Sequence, residues 1–268
     1  MSNKDVGGRR LNLQAALGTT VRALPRLWSG AAGALILCAV LWLLPVFWPI
    51  EGWMRWAWAL AAAASALVAV GALARLSIRD DLTGARALGL GPLGLQAKPP
   101  EARLVGALLL CLLFLSMIVS ILALVVLAIF GMAELNVQAI QARDWAAVGA
   151  PWKLGVLAVL AAGAVAIPLL LIVRLSLFVP ATLGRRQMVS LNSMGIAYGS
   201  FWPLLAGLIA TALPKIVLLT LIATGTLAGR TGEVVWILGL VALQLPLTIG
   251  FLGAAYRQLE YWSPDEPK

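Results

Sequence analysis

Histidine is absent from this chain, and cysteine and acid are scarce: 268 residues include 2 Cys and 11 Asp plus Glu. Without His, the commonest general base and the commonest metal ligand are both missing. Cys38 and Cys111 sit inside apolar runs with no C-x-x-C spacing, which reads as two small buried side chains rather than a disulfide or a metal site. Charged residues make up 12% of the chain and hydrophobic ones 62%. A soluble domain carries about 25% charged and roughly 45–50% apolar residues. Too little polar surface remains to coat a water-soluble globule, so a membrane is the natural solvent. No P-loop, nucleophile elbow or metal-binding pattern occurs. The expectation is a protein that is not an enzyme and has no cofactor.

What is present is long apolar runs. A helix crossing the hydrocarbon needs about 20 mainly apolar residues, and six runs qualify: 28–50, 54–76, 104–131, 152–173, 201–228 and 234–256. Backbone in lipid must satisfy its own hydrogen bonds, which leaves helix as the choice for runs this long and uncharged. The fold class expected is therefore all-α: an integral membrane bundle of six transmembrane helices with short interfacial helices. The second run is rich in Ala, Ser and Gly, which suits close helix packing.

The chain divides into an N-terminal segment 1–27, a six-helix transmembrane domain 28–256 and a C-terminal tail 257–268. In the first of these, Leu13, Leu17, Val21, Leu24 and Leu27 recur at intervals of three and four, the pattern of a helix lying in the membrane interface. A disordered basic tail is the competing reading, given Gly18 and Pro25. The apolar run from Leu27 is too long for a signal-peptide core, so the first span is expected to be an uncleaved anchor. Arg22 and Arg26 interrupt what a twin-arginine signal would need after Arg9-Arg10.

Orientation follows from Lys and Arg. The net charge is +9. With six spans, most of the basic residues share one side with both termini and the 75–103 and 174–200 loops. Only Arg55, Arg143, Lys153 and Arg230 fall on the other side, and Lys215 lies within a span. This bias places both termini in the cytoplasm. It also explains the charge as topology, with no nucleic-acid motif and no dense basic patch. Trp28, Trp48, Trp53, Trp152, Trp202 and Trp262 lie near proposed span ends, where the indole favours the headgroup region. Between the third and fourth spans, residues 132–150 read as a short interfacial segment or a plain loop.

Arg75-Leu76-Ser77, Arg174-Leu175-Ser176 and Tyr256-Arg257 each close a pair of spans, the pattern of three helical-hairpin repeats. Any cytoplasmic helix end tends to carry Arg, which accounts for the same residues without repetition. Gly89-Leu90-Gly91-Pro92-Leu93-Gly94 matches G-x-G-x-x-G but follows a membrane helix and contains Pro92, so it reads as a connector rather than a dinucleotide fingerprint. Asp80-Asp81 reads as a solvated turn beside Arg79 and Arg86.

All the acids fall outside the spans, which weighs against proton-driven transport. Lys215 is the unusual charge: mid-span, directly after Pro214, which cannot donate to the carbonyl of Ala210. One reading is a helix break that builds a midplane anion site, as in several transporters; the other is a lysine that snorkels or sits at the boundary. The candidate ligand- or lipid-binding residues are Lys215, Arg174, Arg185 and Arg186. The expected partners are anionic membrane lipids and either a membrane-protein partner or a second copy, but not nucleic acid.

Residues 174–205 carry a further signal. Arg174-Leu175-Ser176-Leu177, Pro180-Ala181, Ser190-Leu191 and the run Gly199-Ser200-Phe201-Trp202-Pro203-Leu204-Leu205 resemble a pattern in bacterial multi-pass proteins. These are the membrane domain attached to glycerophosphoryl diester phosphodiesterases and its stand-alone relatives. Ile196 and Tyr198 depart from that pattern where Trp and Thr are usual. The resemblance implies an all-helical protein of the bacterial inner membrane. It carries over no catalytic residue, because no phosphodiesterase domain or His/Glu set is present. The leading expectation is a non-enzymatic membrane scaffold or accessory protein contacting anionic lipid. The alternative is a transporter or lipid-handling protein using Pro214 and Lys215.

Overall fold

The computed structural model describes residues 10–79, 81–96, 99–133, 136–145 and 147–260. Residues 1–9, Asp80, Lys98, Glu134 and the tail from 261, with Trp262, lie outside the described residues. The described chain is helical and contains no strand. In order come α1 (Leu13–Gly30), α2 (Ala32–Phe47), α3 (Met54–Ile78), α4 (Leu82–Ala87), α5 (Pro99–Met132), α6 (Val137–Gln141), α7 (Pro151–Leu175), α8 (Phe178–Gly184), α9 (Ser193–Ile196), α10 (Phe201–Ala223), α11 (Gly229–Gly239) and α12 (Leu245–Leu259). A π-helical turn, Leu240–Gln244, fuses α11 to α12. Among the described residues, five helices are long and apolar enough to cross a membrane, or six if the bent pair α1–α2 counts as one span; the bend is 79°.

The segments expected on the basic side do meet at one end of the molecule. The backbone N–H of Leu11 donates to the Ser200 hydroxyl at 3.2 Å, and that of Asn12 to the Gln258 side chain at 2.9 Å. Arg75 at the end of α3 pairs with Glu101 at the start of α5, and Arg185 after α8 pairs with Glu260 after α12. This end holds the core, formed by α1, α3, α8 and α12 with the first turns of α2.

Close packing there rests on glycine. A Cβ at Gly253 would fall 2.0 Å from the Ser77 hydroxyl, and one at Gly207 would fall 1.9 Å from the Phe251 ring. Proline leaves a second mark. Pro45 and Pro246 lack the N–H that would bond the carbonyls of Leu41 and Ala242, four residues back. Tryptophans supply the missing donors: Trp58 Nε1 donates to Leu41 O and Trp28 Nε1 to Ala242 O, each at 2.7 Å. Trp28 is therefore more than the headgroup anchor the sequence suggests.

Three expectations need correction. The amphipathic N-terminal helix exists, capped by Asn12, but of its apolar face Leu27 is buried and Leu13, Leu17 and Leu24 pack partly buried against the core, while Val21 stays exposed. Of the interfacial segment that the sequence suggests before the fifth span, α8 is buried from Val179 to Gly184 rather than at the surface, whereas residues 186–188 and 191–192 are exposed. The fifth helix ends at Ala223 rather than 228, because Gly225 adopts φ +75° in the turn that follows.

Between the third and fourth spans a short helix does form. There α6 packs Ala139 with Ala133 and Val148 in a small cluster of its own. The glycine motif is a folded turn: Gly89 and Gly94 have φ of +93° and +79°, and a Cβ on Gly91 would strike Leu95 O at 1.9 Å. Gly94 also lets the turn approach the Ala31 Cα at the α1–α2 bend.

Candidate functional site

The packed end encloses a charged pair the sequence does not advertise. Arg75 is fully buried; its guanidinium lies 2.7 Å from the Glu101 carboxylate, and its Nε donates to Leu88 O at 3.0 Å. Buried Gln96 accepts from Gly91 N–H at 3.0 Å, and Gly71 leaves the room that these side chains occupy. A buried ion pair repays its desolvation only with good geometry and further hydrogen bonds, and these contacts pin the 88–96 turn onto α3. The role is architectural, and it fixes where α5 begins.

From that start α5 diverges from α3. An apolar cleft of about 680 Å³ opens between them, lined by Ala66, Leu67 and Val70 of α3, Leu104, Leu108, Cys111 and Leu112 of α5, Ile172 and Leu175 of α7, Phe178 and Val179 of α8, Leu208 of α10 and Ile249 and Leu252 of α12. Its lining includes two hydroxyls, Ser176 and Thr248, and no charge. Ser176 already donates to Val173 O at 2.7 Å and Thr248 accepts from Gln244 at 2.8 Å. Such a space suits a hydrocarbon chain.

Beside it lies a smaller cavity of about 220 Å³, walled by Ala87, Leu88, Gly89, Pro100, Arg103, Thr182, Leu183 and Arg186. Arg103 donates to the backbone carbonyl of Arg186, and Arg186 donates to Ala87 O at 3.0 Å. Arg186 holds φ +53°, a conformation few non-glycine residues adopt. Thr182 is buried and bonded in both directions to Val189.

The four residues singled out from the sequence do not converge. Arg186 lines the smaller cavity. Arg185, its neighbour, turns the other way to Glu260. Arg174 is half-buried at the end of α7, and its Nε meets no hydrogen-bond partner among the described residues. Lys215 is exposed on α10, which runs through Pro214 as uninterrupted helix, and neither cavity described above is lined by it. The helix break expected there is absent. Arg103, which the sequence offers only as one of the basic residues of the 75–103 loop, is the one that joins Arg186.

The three arginines of the suspected repeat occupy different surroundings: Arg75 is buried, Arg174 half-buried and Arg257 exposed. Ser77 and Ser176 both bond the carbonyl three residues back. Among the described residues no three His, Cys, Asp or Glu side chains gather as metal ligands. Comparison with protein-family models, curated proteins and solved structures finds no match to this chain.

Proposed function

We propose that this chain is a non-enzymatic multi-pass protein of the bacterial inner membrane, a scaffold or accessory protein that contacts anionic lipid and keeps an acyl chain in the cleft between α3 and α5. The observation that carries this reading is the cleft of about 680 Å³, walled almost entirely by hydrocarbon. Its apolar lining suits an acyl tail better than a polar solute, because sugars, amino acids or ions there would forfeit hydrogen bonds at several kcal/mol apiece.

Six spans follow if α1–α2 crosses as one bent unit, with both termini cytoplasmic by the Lys and Arg bias. The likeness of residues 174–205 to the membrane domain of glycerophosphoryl diester phosphodiesterase-type proteins favours the same location. It lends no residue a catalytic role.

The test is purification into nanodiscs straight from the membrane, followed by mass spectrometry of retained lipid. Wild type retains at least one phospholipid per chain through delipidating washes, and Ala66→Trp, which projects an indole into the cleft, retains less. Equal retention by both proteins contradicts the reading.

A further inference from the structure

Resting on the cleft as an acyl-chain site, we propose that Arg103 and Arg186 bind the phosphate of the same lipid, making the two cavities one site for an anionic glycerophospholipid. The two spaces share walls one residue or one turn apart. Arg103 faces the smaller cavity and Leu104 the cleft; Leu183 lines the smaller one and Val179, a turn earlier on α8, lines the cleft. A helical turn is about 5.4 Å, so a charged headgroup and the first methylenes of a tail fit the two compartments in sequence.

The chemistry of the smaller cavity is that of an anion site. The two arginines stand 83 positions apart in the chain; the Arg103 guanidinium donates to the Arg186 backbone carbonyl and the Arg186 guanidinium to Ala87 O, and both residues line the cavity. Each spends one described hydrogen bond on backbone oxygen, and no carboxylate among the described residues pairs with either. A guanidinium carries five donors in a planar fork that matches phosphate. The contrast with Arg185, neutralised by Glu260 two turns from the cleft wall, marks Arg186 as the available one of the consecutive pair. Both Arg103 and Arg186 are exposed, so a headgroup reaches them from the membrane surface.

The experiment measures lipid binding by native mass spectrometry of the full chain in detergent, titrated with phosphatidylglycerol, phosphatidylcholine or inorganic phosphate. Wild type prefers phosphatidylglycerol over phosphatidylcholine, and Arg103→Gln/Arg186→Gln loses that preference by about 30-fold, as expected for two basic residues facing an anionic lipid. Arg103→Lys/Arg186→Lys retains part of it, and circular dichroism shows the Gln pair still folded.

If the Gln pair keeps the full preference, the headgroup assignment is overturned while the cleft reading stands. If Ala66→Trp binds both lipids as wild type does, the cleft reading itself fails. Inorganic phosphate that displaces phosphatidylglycerol at equal concentration identifies a free-anion site and overturns the lipid assignment. If the Gln pair also loses its fold, the Lys pair decides: a Lys pair whose preference for phosphatidylglycerol over phosphatidylcholine falls supports a guanidinium–phosphate fork, and one with undiminished preference overturns it.

Discussion

The helix α3 and the hairpin of α5 and α7 are all apolar enough to cross a membrane, yet they have opposite surroundings. In α3, 39% of the most apolar window is buried within the protein; in the span that contains α5 the figure is 6%, and in α7 with α8 it is 11%. Their residues explain the split. The α3 window is built from Ala, Ser and Gly, so other helices come close, and Gly253 seats directly on Ser77. The α5 stretch is Leu-, Ile- and Val-rich and presents Leu109, Leu113, Leu124 and Leu127 outward at more than half exposure. Small residues buy protein–protein contact in a membrane, whereas large aliphatic ones are equally content with lipid. The cleft lies where one regime meets the other.

Breaking the packed side costs most. Arg75→Leu takes the guanidinium away from the buried Glu101 carboxylate, a loss of about 3–5 kcal/mol, read as a large fall in the denaturation midpoint in detergent. Arg75→Leu/Glu101→Leu removes both charges and recovers much of that loss. Gly253→Ala overpacks against Ser77 and costs about 1–3 kcal/mol by the same measurement. Trp28→Phe strands the Ala242 carbonyl that Pro246 leaves free and costs about 1 kcal/mol. On the hairpin side, Leu113→Ala changes stability by less than about 0.5 kcal/mol, since Leu113 is 66% exposed. A loss as large as that of Gly253→Ala would erase the distinction between the two regions.

The smallest effect is electrostatic and lies outside the spans. The Thr83 hydroxyl and the Gly84 N–H both hydrogen-bond the Asp81 carboxylate and hold it below the usual carboxylate range. A lowered pKa contributes stability above the unfolded-state value of about 3.9 and loses it as pH falls through the folded one. Hydrogen exchange in α4 therefore rises modestly in acid relative to neutral pH, after correction for intrinsic rates. Asp81→Asn, which still caps the helix but does not titrate, abolishes that pH dependence.

Long elements were readable from the sequence because length and lack of charge leave helix no competitor in lipid. The run 104–131 appears as Pro99–Met132 and the run 152–173 as Pro151–Leu175. Tertiary choices were not readable. Arg75 looks like any cytoplasmic helix end until the 88–96 turn folds back and sets Glu101 against it. The bend at Ala31 depends on Gly94 packing beside it, a contact between positions far apart in the chain. Arg186 was noticed as half of a basic pair, but its partner Arg103 belongs to another helix, and only the meeting of α5 with the end of α8 discloses it.

Photolabelling settles the central claim that lipid occupies the cleft rather than only surrounding the hairpin. A phospholipid bearing a photoreactive group on its acyl chain is bound to the full chain, excess lipid is washed away, and the labelled residues are mapped by peptide mass spectrometry. Labels on the cleft wall at Leu108, Ile249 and Leu252 are the predicted result. Labels confined to outward positions such as Leu113 and Leu124, with the cleft wall untouched, would contradict it.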